Sequence, residues 1–205
     1  MTTNETSFFR DLHPFDALKK TLLPELVIKR GGERILNFWC AAASSGQEPY
    51  TVALLLREHF PLLADWTIRF IATDLSAEMV ERSRAGRYSQ LEMNRGMPAA
   101  FLVKYFQRQG VEWQVKEEIR AMIEFRQLDL VRAWPSMPPL DIIFMRNVLI
   151  YFDVATKKAI LAKVRRLLRP DGYLFLGAAE TTLNLDDNFE RRQLDKAGCY
   201  HLRNG

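Results

Sequence analysis

The chain has 205 residues, 48% of them apolar and 26% charged, the composition of one folded domain with a sizeable core. Its formal net charge of +4 permits an acidic partner without specifying nucleic acid. No apolar run is long enough to span a bilayer, the start Thr2-Thr3-Asn4-Glu5 lacks a signal-peptide pattern, and Cys40 and Cys199 form no C-x-x-C pair. These features predict a cytoplasmic protein without membrane insertion, and its three scattered histidines predict no metal site.

Taken in order, the chain opens on a polar arm ending in Phe8-Phe9-Arg10-Asp11. Such an arm stays disordered unless tied down, so it is expected to order over a bound ligand. Residues 14–28 carry Phe15, Leu18, Leu22 and Leu26 near helical spacing, with Pro24 a predicted break. Gly31-Gly32 then turns into a strand over 35–40, and a helix follows from about 49 to 60, with Pro49 in its first turn. Between them lies Ala41-Ala42-Ala43-Ser44-Ser45-Gly46, a turn of small residues against which a ligand can lie close. Strand, small-residue turn and helix together read as the first half of a mononucleotide-binding unit, with Ala41 and Gly46 as candidate contacts. The three-glycine pyrophosphate pattern is missing, and Glu48 would repel a phosphate. A cationic, amino-acid-bearing nucleotide such as S-adenosylmethionine suits both facts; a tight turn without a ligand is the competing reading.

A second strand is predicted over 66–73 with Asp74 at its end, followed by a short helix with Ser76 as N-cap. The alternation then pauses from Arg87 to Phe125. Residues 97–106 read as a helix, and 111–116 and 121–127 as short strands. Pro135, Pro138 and Pro139 precede a strand over 140–145, then Arg146-Asn147-Val148-Leu149-Ile150-Tyr151-Phe152. A helix over 154–168 follows, and Lys157, Lys158, Lys163, Arg165 and Arg166 read as its solvated face. A strand over 173–177 and a closing hairpin, 189–194 with 199–202, complete an α/β pattern that calls for a mostly parallel sheet covered on both faces.

In such sheets ligands bind beyond the carboxyl ends of the strands, where strand order reverses. Those ends carry Glu48, then Asp74, placed to accept hydrogen bonds from two ribose hydroxyls. Asp129 and Leu130 follow, a polar–apolar pair suited to an adenine edge and face, and then Asn147 and Val148. Singly each has an ordinary alternative, Asp74 as a loop acid for instance. Together they point to one nucleotide site.

The residues Asn4-Glu5-Thr6-Ser7-Phe8-Phe9-Arg10-Asp11, Trp39 through Tyr50, Ala72-Thr73-Asp74-Leu75-Ser76, Arg146 through Phe152, and Gly172 through Glu180 resemble the catalytic domain of the CheR family. These are S-adenosylmethionine-dependent methyltransferases that esterify glutamates of chemoreceptors. The resemblance spans nearly the whole chain. It implies a Rossmann-like methyltransferase fold with a seven-stranded, mostly parallel sheet whose last strand is antiparallel. It implies S-adenosylmethionine as cofactor, S-adenosylhomocysteine as product, and cofactor contacts from Asn4, Thr6, Arg10, Glu48, Asp74, Asp129, Leu130, Asn147 and Val148. Arg10 and Tyr151 would lie beside the transferred methyl, with a packed aromatic as the plainer role for Tyr151.

Two departures bear on substrate docking. The resemblance begins at the catalytic domain, so the family's N-terminal helical domain is expected to be absent. The small β-subdomain, placed at 106–127, is short and has one glycine, Gly110. The chemoreceptor's cytoplasmic helical region is therefore the expected partner, without a C-terminal pentapeptide tether. A nucleic-acid methyltransferase, favoured only by the basic charge, and a cofactor-binding module without activity remain the alternatives. Against the first, the motif after the fourth strand is Arg146-Asn147-Val148-Leu149-Ile150-Tyr151, not the Asn/Asp-Pro-Pro-Tyr such enzymes use.

Overall fold

The computed structural model describes residues 6–203. Seven strands form the main sheet: β1 (Ile35–Ala41), β2 (Thr67–Asp74), β6 (Glu124–Gln127), β7 (Leu140–Met145), β8 (Leu168–Leu176), β9 (Phe189–Leu194) and β10 (Ala197–Leu202). Their spatial order is β6-β2-β1-β7-β8-β10-β9. The first five run parallel, while β10 is antiparallel to both β8 and β9. From β1 the chain builds outward through β2 to β6, then returns to place β7 on the other side of β1. The switch point predicted for the ligand therefore lies between β1 and β7.

Alternation along β1 explains the two cores. Phe38 and Cys40 point into a layer with Phe144, Phe175 and the helices before β1, while Trp39 and Ala41 enter a second layer with Ile143, Leu161 and Val164. Strand β7 is buried along its whole length, as a central parallel strand must be. Its Asp141 lies in this interior and accepts bonds from Arg30 Nε at 2.7 Å and Asn37 N at 2.8 Å. Arg30 also holds Asp171 with both terminal nitrogens, at 3.0 and 2.5 Å. This ion-paired cluster closes the amino-terminal end of the sheet.

Three expectations are corrected. Helical structure does not break at Pro24: α1 (His13–Ala17) passes through a π-helical turn, Leu18–Leu22, into α2 (Leu23–Arg30). Proline has no N–H to donate, and the widened turn before it accommodates the ring. Secondly, the β-subdomain is not 106–127. Strand β6 pairs with β2 on the edge of the main sheet, and the small sheet is β3 (Arg87–Ser89), β5 (Glu112–Val115) and β4 (Phe106–Gln109) in spatial order. Four-residue strands with similar patterns do not reveal their partners. Thirdly, the described end of the arm is fastened to the protein itself: Phe8 packs edge-on against Tyr88 and Phe106, and Phe9 N donates to Thr51 Oγ1 at 3.1 Å.

Candidate functional site

The small-residue turn after β1 is a strained backbone held from outside. Ala42 and Ser44 have positive φ, 54° and 50°, which costs a residue with a side chain of order 1 kcal/mol each. Four contacts hold it: Ala43 N donates to Thr73 O at 2.8 Å, Ser44 N to Asp74 Oδ2 at 2.8 Å, and Ser83 and Tyr88 donate to the carbonyls of Ser44 and Ser45. Gly46, with φ 92°, starts α3 (Gln47–His59), and a Cβ there would lie 2.9 Å from Ser83 Oγ. Glycine is required here by the turn and its packing.

Beyond the turn opens a cavity of about 460 Å³, bounded by the carboxyl ends of β1, β2, β6 and β7. Thr6 and Arg10 reach it from the arm, Glu48 from α3, and Asp74 from β2. Asp129 and Leu130 line the opposite wall, and Asn147, Val148 and Tyr151 come from the segment after β7. Two candidates do not line it. Ala41 is enclosed in the sheet core and Gly46 lies behind the turn; Ala42, Ala43 and Ser44 supply the wall between them. Asn4 lies outside the described residues. A larger cavity of about 660 Å³ lies across Arg146, against the β9–β10 hairpin, and carries none of the candidate cofactor residues.

Asp74 is oriented before any ligand arrives. One oxygen accepts Ser44 N and the other Ser76 N at 2.9 Å, so the carboxylate bridges the first two strand ends and keeps lone pairs for further donors. The short helix α4 (Ala77–Ala85) follows, capped by Ser76 as its sequence predicts.

Glu48 and Arg146 form the charged end. Arg146 is almost wholly buried: one nitrogen donates to Glu48 Oε2 at 2.7 Å, another to Asp11 Oδ2 at 2.7 Å and to Arg10 O at 3.2 Å. One guanidinium therefore ties the cavity's carboxylate to the arm that carries Arg10. Burial pushes the Glu48 carboxyl above the usual carboxylate range, although Arg146 and the charge of Arg10 oppose it.

The segment after β7 is held by a residue that sequence reasoning quoted in a motif without giving it a role. Glu180 accepts the N–H groups of Gly177, Asn147, Val148 and Ile150 at 2.6, 2.7, 2.9 and 3.3 Å. Asn147, at φ 58°, is held in a left-handed conformation by this grip. A Cβ at Gly177 would lie 2.7 Å from the Asn147 side chain, so the two loops meet only across glycine. Tyr151 ends the 3₁₀ turn Leu149–Tyr151 and is about half exposed (49%), an accessible position at the mouth.

The donor set fits S-adenosylmethionine. The Asp74 carboxylate, an apolar slot formed by Leu75, Leu128, Leu130 and Val131, and the Glu48 carboxyl line one cavity, a set of groups that matches a ribose, an adenine and an ammonium in kind. The turn below offers no basic side chain to a phosphate. Ser44 Oγ is buried without a hydrogen-bond partner inside the protein, leaving a polar atom for a ligand. Among the described residues, no cluster of three or more His, Cys, Asp or Glu is arranged to hold a metal, and no helix is long and apolar enough to cross a membrane.

Comparison with known proteins agrees with this chemistry. The family profile described as CheR methyltransferase, SAM binding domain, matches residues 4–197. Chemotaxis protein methyltransferase 1 of Pseudomonas aeruginosa is 42% identical over 99% of this chain and 75% of its own length. The chemotaxis protein methyltransferase of Vibrio parahaemolyticus is 39% identical, over 99% of this chain and 74% of its own. In fold alone, a TehB-like SAM-dependent methyltransferase from Corynebacterium glutamicum superposes with a TM-score of 0.50 at 12% identity, covering 82% of this chain and 80% of that one. The chain belongs to the CheR family, the S-adenosylmethionine-dependent protein-glutamate O-methyltransferases of chemotaxis.

Proposed function

We propose that the 460 Å³ cavity holds the cofactor with its ribose on Asp74, its adenine between Leu75 and residues 129–131, and its amino group on Glu48. The acceptor is a glutamate on the helical cytoplasmic region of a chemoreceptor, reached in the cytoplasm at a mouth flanked by Arg10 and Tyr151. The observation that carries this reading is the separation of charge along the cavity: one acid, Asp74, at the β2 side, and a second, Glu48, kept buried beside Arg146 at the β7 side, with Arg10 in the wall and acting on the Glu48 charge.

Bound S-adenosylmethionine would supply an activated methyl on its sulfonium, which the acceptor oxygen would take while the carbon–sulfur bonding pair stays with sulfur as S-adenosylhomocysteine. The acceptor carboxylate is already ionised at neutral pH, so the chain needs no general base. Its task is alignment and exclusion of water, which for two reactants contributes roughly 7–11 kcal/mol. Arg10 orients the incoming carboxylate with a planar donor fork, and Arg146 fixes Arg10 through its backbone carbonyl. Glu180 sets the backbone that carries Asn147, Val148 and Tyr151.

The decisive assay is transfer of tritiated methyl to a receptor cytoplasmic fragment. Base-labile label on glutamate is expected; cofactor binding without any transfer would leave a binding module instead. Recognition falls to the methyl-accepting helix, because the small sheet offers only four-residue strands around Gly110 for strand addition. Binding to that helix should weaken as salt rises. Fluorescence anisotropy with a labelled receptor C-terminal pentapeptide should show no binding, and micromolar affinity would overturn this docking claim alone.

A further inference from the structure

We propose that Lys163, on the outer helix α8 (Val154–Leu167), is a positioning residue for cofactor recognition, fastening the loop that forms the adenine wall of the cavity. The inference rests on the placement of adenosine against residues 129–131. In the sequence Lys163 sits among Lys157, Lys158, Arg165 and Arg166 and reads as part of a solvated face. In the structure its ammonium turns inward. Nζ donates to Leu130 O at 2.6 Å and Arg132 O at 2.8 Å, with Val131 O at 3.3 Å. An ammonium has three donors, and three successive carbonyls meet them.

These carbonyls belong to a stretch with no regular structure between β6 and β7, so no ladder fixes them. Their other faces matter: Asp129, Leu130 and Val131 line the cavity. A second fastening converges on the same place. Trp134 Nε1 donates to Leu130 O at 3.1 Å, and Lys163 Nζ lies 4.5 Å from the Trp134 ring centroid, within cation–π range. The Trp134 ring meets Trp39 edge-on at 4.9 Å, and Trp39 Nε1 donates to Thr73 Oγ1, the neighbour of Asp74. The two sides of the adenosine site are thereby joined through the interior. Helix α8 is a firm anchor, since Ile160, Leu161 and Val164 are completely buried. A wall fixed in advance spares the ligand the cost of ordering it. Lys163 itself does not line the cavity, so it acts through the loop and is not catalytic.

Calorimetry on the full chain distinguishes this role, with S-adenosylhomocysteine and with 5′-methylthioadenosine, which keeps the adenosine and lacks the amino acid. Lys163→Met should weaken both ligands by the same factor, roughly tenfold. Lys163→Arg, which restores charge and donors, should recover most of that loss, and Trp134→Phe should show a smaller loss of about threefold. In turnover, the Michaelis constant for the cofactor should rise more than the rate constant falls. Glu48→Gln, by contrast, should weaken S-adenosylhomocysteine alone. Parent-like affinity of Lys163→Met for both ligands, or no recovery with arginine, would overturn the proposal. Where that occurs while Asp74→Ala still weakens both ligands, the placement of adenosine stands and only Lys163 falls. No binding of either ligand by the parent chain would overturn both.

Discussion

The two ends of strand β7 each hold a buried arginine between two acids, and the arrangements behave oppositely. At the amino end Arg30 binds Asp141 and Asp171, with two parallel bonds to the latter, and Asp171 is held below the usual carboxylate range by that arginine. At the carboxyl end Arg146 binds Glu48 and Asp11 with single contacts, and Glu48 is pushed above its usual range because burial outweighs the arginine. A depressed carboxyl pKa adds stability at neutral pH that is lost as pH falls through the folded value. A raised one acts in the opposite sense: its favourable contribution exists at low pH and is lost as pH rises through the folded value. The first cluster is satisfied by the fold alone. In the second, burial works against the charge of Glu48, and it is the second that faces a cavity.

The largest expected effect tests the structural end. Arg30→Met leaves Asp141 buried with its hydrogen bond from Asn37 N and with Arg169 Nε, 3.6 Å away, as its nearby cation, and should lower stability by about 3–5 kcal/mol in urea unfolding. The same variant should bind S-adenosylhomocysteine like the parent at temperatures where it is folded; weakened binding would erase the division between the two ends. Next in size, Arg10→Ala should reduce methyl transfer by about 10²-fold, while the melting temperature without ligand stays near that of the parent. A large drop in that temperature would make Arg10 part of the framework.

A smaller effect is expected from Asp74→Ala, which should weaken cofactor binding by about 1.5–3 kcal/mol, the range for hydrogen bonds to a charged group. An unchanged dissociation constant by calorimetry would remove Asp74 from the ribose. The smallest and sharpest test is pH. Because the folded pKa of Glu48 is raised, affinity for S-adenosylhomocysteine should begin to fall on acidification at a higher pH than an ordinary carboxylate would allow, by at most about tenfold per pH unit. Glu48→Gln should bind more weakly at neutral pH and lose this slope, whereas Asp171→Asn should keep it.

Local features are written in the sequence: the β–α order, the turn after β1, Ser76 as a cap, and polar residues just past strand ends. Each depends on a few neighbouring residues, through turn geometry, side-chain alternation and proline's missing donor, so each is written in a short window. The candidates Glu48, Asp74, Asp129, Leu130, Asn147 and Val148 were legible for that reason, whereas Arg10 and Tyr151 came from the family resemblance, and the cavity brings all of them together. Ala41 and Gly46 were legible as parts of the turn, but which face of it meets the cavity depends on the side chains packed behind it. Tertiary structure alone decided the rest. Strand β6 joins the main sheet and β3 the small one because pairing is settled between distant segments, not within four residues. Glu180 lies 33 residues from Asn147, and Lys163 lies 33 from Leu130. A carboxylate or an ammonium in a polar run looks solvated in any sequence; only the folded chain brings it the backbone groups that make it part of a site.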